Sequence, residues 1–90
     1  MNKVILEGTV TEAFTRTGLD GTPFLMMKIS TDENTSVPVN INNCDTPPAE
    51  GDMIRVEGKV RTRFFRAGGA AMSRTEVMAP KFTTVAVANV

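Results

Sequence analysis

The stretch that decides the fold is "VEGKVRTRFF", residues 56–65, in which apolar and charged residues alternate. A period of two places successive side chains on opposite sides of a β-strand. The longer run over residues 53–65 therefore predicts one long strand. Its predicted inward side chains are Ile54, Val56, Gly58, Val60 and Thr62. Its other face would carry Lys59, Arg61 and Arg63, with Phe65 at the end of the row.

Four more stretches show the same alternation and are predicted to be strands, namely residues 3–10, 24–29, 36–42 and 71–79. Gly8 lies inside the first strand, which indicates either a bulged, coiled strand or a tolerated glycine. Asp20-Gly21 supplies the turn chemistry of a hairpin before the second strand. Pro38 cannot donate to a ladder, so the third strand should lie at or near an edge there. In the last strand, Thr75 and Val77 should point inward, and Arg74, Glu76 and Met78 outward.

Residues 43–52 contain Pro47-Pro48 and lack helical periodicity, which predicts a loop or one short turn and no full helix. Five strands without a helix would leave apolar edges open unless the sheet closes on itself. The predicted fold class is therefore an all-β, partly closed five-stranded barrel over residues 1–80. Residues 81–90 would form a short, mildly apolar tail that packs against the barrel or against a neighbouring subunit.

Composition excludes several classes of function. A chain of 90 residues is long enough for one small domain. It contains Cys44 as its single cysteine and has no histidine, which removes disulfide frameworks, zinc clusters and Cys/His or Ser/His nucleophile pairs. We therefore expect no enzyme activity and no cofactor. The sequence shows neither a signal peptide nor an apolar run of about 20 residues, so a cytoplasmic protein without a membrane partner is expected.

Charge is segregated along the chain, although ten basic and ten acidic residues cancel overall. Residues 55–74 carry one acidic residue, Glu57, against six basic residues: Arg55, Lys59, Arg61, Arg63, Arg66 and Arg74. Cations about 6 to 7 Å apart on one strand face can neutralise successive phosphates. An exposed aromatic ring such as Phe65 accepts the face of any base. This pattern favours binding of single-stranded nucleic acid, although such alternation is also typical of a solvated face.

The predicted nucleic-acid-binding residues lie on two strands: Phe24, Lys28, Lys59, Arg61, Arg63, Phe65, Arg66 and Arg74. For Phe24 and its neighbour Met26, an edge-capping or subunit contact is an equal alternative to base stacking. Asn40 and Asn42 would either bond bases or face water. The remaining rings, Phe14, Phe64 and Phe82, are expected to pack in the protein.

Three segments carry a resemblance to a known family: "MNKVILEGTVT" at residues 1–11, "GDMIRVEGKVRTRFF" at 51–65 and "RTEVMA" at 74–79. They resemble the bacterial single-stranded DNA-binding proteins and smaller relatives such as primosomal replication protein n. Phe65 stands where that family has Trp or Tyr after Arg-Thr-Arg, and Arg61 and Arg63 match the flanking arginines. The chain departs from the family in lacking its tryptophans and the helix between strands three and four. Fewer stacking side chains predict weaker binding or a smaller site.

The resemblance implies an oligonucleotide-binding (OB) fold that wraps single-stranded DNA on aromatic and basic side chains. It also implies a role in DNA replication and recombination and a homo-oligomer, either a dimer or a tetramer paired through the first strand. Replication proteins are possible partners. We therefore expect a sequence-tolerant single-stranded DNA-binding protein. The alternative is an OB-fold interaction module of a replication or primosome complex with weak or no DNA binding, which docks through Phe24, Met26 and the apolar tail.

Overall fold

Alternating apolar residues give rise to six β-strands in the computed structural model, which describes residues 1–31 and 34–88. The strands are β1 (Val4–Thr17), β2 (Pro23–Ser30), β3 (Ser36–Asn42), β4 (Met53–Ala67), β5 (Ala70–Ala79) and β6 (Phe82–Ala86). The five predicted strands are present in their predicted order. β1 ends at Thr17 and not at Val10 as predicted, because a bulge between Val10 and Glu12 interrupts its alternation without ending its pairing.

Five of the strands close into a ring in the order β1-β2-β3-β5-β4 and back to β1. β3 and β5 run parallel, and the other pairs in the ring are antiparallel. This arrangement confirms the predicted all-β, five-stranded barrel. Residues 43–52 connect β3 to β4 without a helix, as predicted. Within the described ranges, no helix is long and apolar enough to cross a membrane.

The inward faces of the barrel strands form one hydrophobic core. Its buried residues are Val10, Leu25, Met27, Ile29, Val39, Ile41, Ile54, Val56, Val77 and Ala79. They alternate along each strand because a pleated strand sends every second side chain to the same face. Fully burying one Val, Leu or Ile contributes about 1.5 to 3 kcal/mol, so this small set dominates the stability of the barrel.

β1 changes its partner within the barrel. Its first half, from Val4 to Thr9, pairs with β4, and its second half pairs with β2. Gly8 lies at this change of partner, where an added Cβ would meet the Ser30 carbonyl oxygen and, at 2.6 Å, Cγ2 of Ile29. Gly8 is therefore required by the close approach of the β2 residues Ile29 and Ser30. The bulge lies further along β1, between Val10 and Glu12.

The hairpin turn before β2 forms where Asp20-Gly21 predicts it. Gly18 N–H donates to the Thr22 carbonyl at 2.8 Å, and Gly21 N–H donates to the Gly18 carbonyl at 3.0 Å. The Asp20 carboxylate accepts hydrogen bonds from the Thr22 hydroxyl and from the Thr22 backbone N–H. These bonds, the hydroxyl's first, lower the pKa of Asp20 below its ordinary value. The carboxylate therefore stays ionised within the turn.

The tail adds a sixth strand to the sheet. β6 pairs antiparallel with the first part of β4, from Val56↔Phe82 to Met53↔Ala86. Asp52 fixes the end of this segment, since its Oδ1 accepts a hydrogen bond from Ala88 N–H at 2.7 Å. Of the two predicted positions for the tail, the structure places residues 82–88 against the barrel. Asn89 and Val90 lie outside the described residues.

β4 and β5 continue past the barrel as a two-stranded ribbon, which we define as residues 61–76. Their ladder runs from Lys59↔Met78 to Ala67↔Ala70, whereas β5 pairs with β3 only from Val77 onward. In the pairings of the described residues, the ribbon therefore pairs only with itself. Phe64 lies on this ribbon and is 79% exposed, so the prediction that it packs in the core is wrong. Its face of the strand is as predicted, but no core lies beneath it.

Candidate nucleic-acid interface

One continuous surface crosses the sheet on the side opposite to the core. Residues that are direct partners in a ladder place their side chains on the same face. A single row of partners runs Phe14↔Met26, Met26↔Asn40, Asn40↔Met78 and Met78↔Lys59, from β1 through β2, β3 and β5 to β4. We call this side of the sheet the outer face.

The predicted basic and aromatic row on β4 lies together on the outer face. Arg61, Arg63 and Phe65 occupy alternate positions, and their partners on β5 are Glu76, Arg74 and Met72. The guanidinium carbon of Arg63 lies 5.9 Å from the centroid of the Phe65 ring. Phe65 is 39% exposed, so part of the residue is accessible to a stacking partner. The structure thus brings the cations and the ring of this row together.

A buried carboxylate holds the two arginines of this row. Glu76 is 1% exposed. Its Oε1 accepts a hydrogen bond from Nη2 of Arg61 at 3.1 Å and lies 3.4 Å from Nε of Arg63, an ion pair without a hydrogen bond. Its Oε2 accepts a hydrogen bond from Nδ2 of Asn40 at 2.8 Å. Asn40 was expected to bond bases or face water, and both expectations are wrong because its amide supports the carboxylate.

This cluster of Glu76, Asn40, Arg61 and Arg63 changes the charge of the site. Glu76 was predicted to point outward, and it does lie on the outer face, but its neighbours cover it. One carboxylate offsets one of the two guanidinium charges, so the group carries a net charge of about +1 instead of +2. The arginine side chains remain 44% and 37% exposed, which leaves other N–H donors facing solvent. The arginines are therefore both anchored and available for an anion.

The predicted residues of β2 lie on the same outer face, next to β1. Phe24 is half-buried between its ladder partners Arg16 and Asn42. Lys28 is exposed, and its Nζ lies 3.6 Å from Oε2 of Glu12. Because both groups of this ion pair are about half exposed, the pair contributes little to stability.

Arg74 connects the two parts of the outer face. It projects from β5 beside Arg63, and it lines a pocket of about 160 Å³ with Glu12, Phe14, Met26 and Lys28. Of the eight predicted site residues, seven therefore lie on the outer face. Arg66 is the exception. It lies with its ladder partner Ala71 and with Phe64 on the side of the ribbon opposite to the outer face, which we call the reverse face. Alternation separates adjacent residues of a strand, so Arg66 does not share the face of Phe65.

A broad open groove borders the basic row. It has a volume of about 770 Å³ and is lined by Lys59 and Arg61 together with the amides of Asn2, Asn42 and Asn43. The Asn2 side chain is occupied, because its amide exchanges two hydrogen bonds with the backbone of Val60, at 2.8 and 3.0 Å. Cations and amides in one open groove suit a polyanion with polar edges, such as an unpaired polynucleotide.

Comparison with solved structures identifies this architecture. The chain is similar to the single-stranded DNA-binding protein (SSB) of Plasmodium falciparum in complex with single-stranded DNA, with a TM-score of 0.74 and 15% sequence identity over 94% of this chain and 95% of that chain. It is also similar to Rim1, a mitochondrial single-stranded DNA-binding protein of S. cerevisiae, with a TM-score of 0.69 and 11% identity over 94% and 95% of the two chains. The fold is that of the single-stranded DNA-binding proteins.

A third OB fold extends the comparison. The chain matches a deletion mutant of the single-stranded DNA-binding protein from Thermus aquaticus with a TM-score of 0.70 and 19% identity, over 94% of this chain and 50% of that chain. A scan against protein-family models and a search of curated protein sequences find no match.

On this OB fold, sequence reasoning missed a second pairing of a cation with a ring. The guanidinium carbon of Arg16 lies 5.2 Å from the centroid of the Phe14 ring, and both residues are on β1. Phe14 was expected to pack in the protein, but it is only half-buried and faces outward. The signal was present in the Phe-Thr-Arg order of residues 14–16, which mirrors Arg-Phe-Phe at 63–65. The predicted first strand ends at Val10 and leaves these residues outside any strand.

Proposed function

We propose that this chain is a non-catalytic, sequence-tolerant single-stranded DNA-binding protein that acts in DNA replication and recombination. The observation that carries the proposal is the placement of Arg61, Arg63 and Phe65 on one face, with the ring open and the cations anchored. Phosphates would bond the outward N–H groups of the arginines, and a base would stack on Phe65. The likeness to an SSB in complex with single-stranded DNA supports the same assignment.

Fluorescence anisotropy with labelled oligo(dT) at several salt concentrations tests the proposal. We expect binding that weakens with salt, and Arg61→Ala should reduce the slope of log K against log[salt] by about 0.7 for the lost phosphate contact. Arg61 is chosen because Arg63 remains to pair with Glu76, so the variant keeps the carboxylate compensated. Arg55→Ala is the matched control, since Arg55 is on β4 but opposite Glu7 and Thr83, away from the ribbon.

The ring is tested separately from the charge. Phe65→Ala should weaken binding by about 1 to 3 kcal/mol, the contribution of one stacked base, and should leave the salt slope unchanged. Absence of binding to oligo(dT) at low salt, with the protein folded, would reject the proposed function. In that case, loss of partner capture on Phe24→Ala would identify the interaction module described above.

We also propose that the protein acts as a homo-oligomer joined through β1. Among the described residues, residues 4–7 pair with β4 along one edge and have no strand along the other. Ile5, in the same segment, is 50% exposed. An open strand edge beside an apolar side chain is suited to pairing with a second copy. Sedimentation should give more than one chain per particle, and a monomer both with and without oligo(dT) would reject this arrangement.

A further inference from the structure

The reverse face of the ribbon carries an aromatic ring that the outer face does not use. Phe64 is 79% exposed, about twice the exposure of Phe65. It lies on the face opposite to Phe65 because adjacent residues of a strand point to opposite sides. Arg66 is two residues further along and therefore shares the face of Phe64. Most of the Phe64 side chain is therefore accessible to a binding partner.

A groove at the end of the ribbon joins the two faces. It has a volume of about 480 Å³ and is lined by Phe64, Phe65, Arg66, Ala71, Met72 and Ser73. Both rings therefore border one space, although their side chains leave the strand in opposite directions. Consecutive Cα atoms are about 3.8 Å apart, so the two rings leave the strand at neighbouring positions.

Arg66 places a cation next to the reverse-face ring. Its Nη1 is 3.5 Å from the Gly69 carbonyl oxygen in the turn, a long contact that holds the guanidinium near the tip of the ribbon. No carboxylate pairs with Arg66 among the ion pairs of the described residues, in contrast to Arg61 and Arg63. Its full positive charge is therefore available to an anion. A cation and an open ring on one strand face are suited to a phosphate and the base attached to it.

We propose that Phe64 and Arg66 form a second stacking site for the same single strand of DNA, which leaves Phe65 and turns around the ribbon onto the reverse face. The inference rests on the proposed function, because it extends the binding path of the outer face. It commits the reverse face to an unpaired nucleotide, with the base on the Phe64 ring and the phosphate on Arg66. A strand that wraps both faces covers the exposed ring without a protein partner.

Length of the bound strand provides the test. OB folds bind about 4 to 16 nucleotides, so an oligo(dT) of about 5 nucleotides would occupy the outer face and one of about 16 would also reach the reverse face. Phe64→Ala should weaken binding of the longer strand about tenfold and leave the shorter strand within twofold. Phe65→Ala should weaken both. Val85→Ala, which removes exposed apolar atoms from β6 away from the ribbon, is the control and should change neither.

Charge on the reverse face gives an independent measurement. Arg66→Ala should reduce the salt slope by about 0.7 with the longer strand and leave the slope of the shorter strand unchanged. Equal affinities of wild type and Phe64→Ala for the longer strand would reject the second site, while binding of the shorter strand would still support the proposed function. If Phe64→Ala dissociates an oligomer in sedimentation without DNA, the ring belongs to a contact between copies and the proposal is wrong.

Discussion

Side chains alternate between two faces in both halves of β4, but the two halves differ in how many strands surround them. In the barrel half, residues 53–58, Ile54 and Val56 are buried and Arg55 and Glu57 are exposed. In the ribbon half, Phe64 is more exposed than the charged Arg63 beside it. The barrel half is enclosed by β1 and β6, and the ribbon half has only β5. Alternation therefore specifies which face a side chain occupies, and neighbouring strands decide whether that face is buried.

The largest difference between the halves should appear on removing apolar atoms from the same face. Ile54→Ala leaves a cavity in the core and should lower the free energy of unfolding by about 2 to 5 kcal/mol. Val60→Ala is the matched control, because Val60 shares the inward face but is 40% exposed, and it should cost less than half as much. Urea denaturation followed by circular dichroism measures both. Equal losses would contradict the boundary between the barrel half and the ribbon, which lies between Gly58 and Arg61.

An intermediate effect is expected at the buried carboxylate of the ribbon half. Glu76→Gln removes the charge that Arg61 and Arg63 share and should lower the free energy of unfolding by about 1 to 3 kcal/mol. Freed from the carboxylate, the arginines should bind oligo(dT) with a salt slope steeper by about 0.7. Glu57→Gln changes an exposed carboxylate of the barrel half and should have no effect beyond about 0.5 kcal/mol. A shallower slope in Glu76→Gln would show that Glu76 does not compete with phosphate.

The smallest effect concerns the point where the two halves meet. Asn2 extends the pairing of β1 by bonding both the N–H and the carbonyl of Val60. Asn2→Ala should cost about 1 kcal/mol and increase hydrogen exchange of the Val60 amide. Asn42→Ala, an exposed asparagine on the same groove, serves as the control. An unchanged hydrogen-exchange rate of the Val60 amide in Asn2→Ala would show that the Asn2 hydrogen bonds do not stabilise β4 at this position.

Much of the barrel could be predicted from the sequence, since the inward residues of β2, β3 and the first half of β4 follow a period of two. Gly58 shows what could not be predicted. An added Cβ there would meet the Met78 carbonyl oxygen and, at 2.8 Å, the Met78 carbonyl carbon. Because β5 is distant in the chain, no local pattern reveals this approach. The same applies to the pairing of Asn40 with Glu76, which are 36 residues apart.

The candidate site divides in the same way. The sequence predicted that Arg61, Arg63 and Phe65 share a face, because that follows from the pleat of one strand. It did not predict that Arg66 lies behind the ribbon with Phe64, because the predicted strand ended at Phe65 and β4 continues to Ala67. The contribution of β1 to the outer face, through Phe14 and Arg16, was missed because the bulge after Val10 changes the phase of the alternation.

By itself, the sequence determined five of the six strands, their two faces and the segregation of positive charge onto the fourth and fifth of them. These properties depend on near neighbours along the chain and on the geometry of an extended backbone. Only the tertiary structure decided which faces are buried, which carboxylate pairs with the arginines and which ring remains exposed to solvent. Burial and ion pairing depend on strands brought together by closure of the barrel, and that closure is set by the whole chain at once.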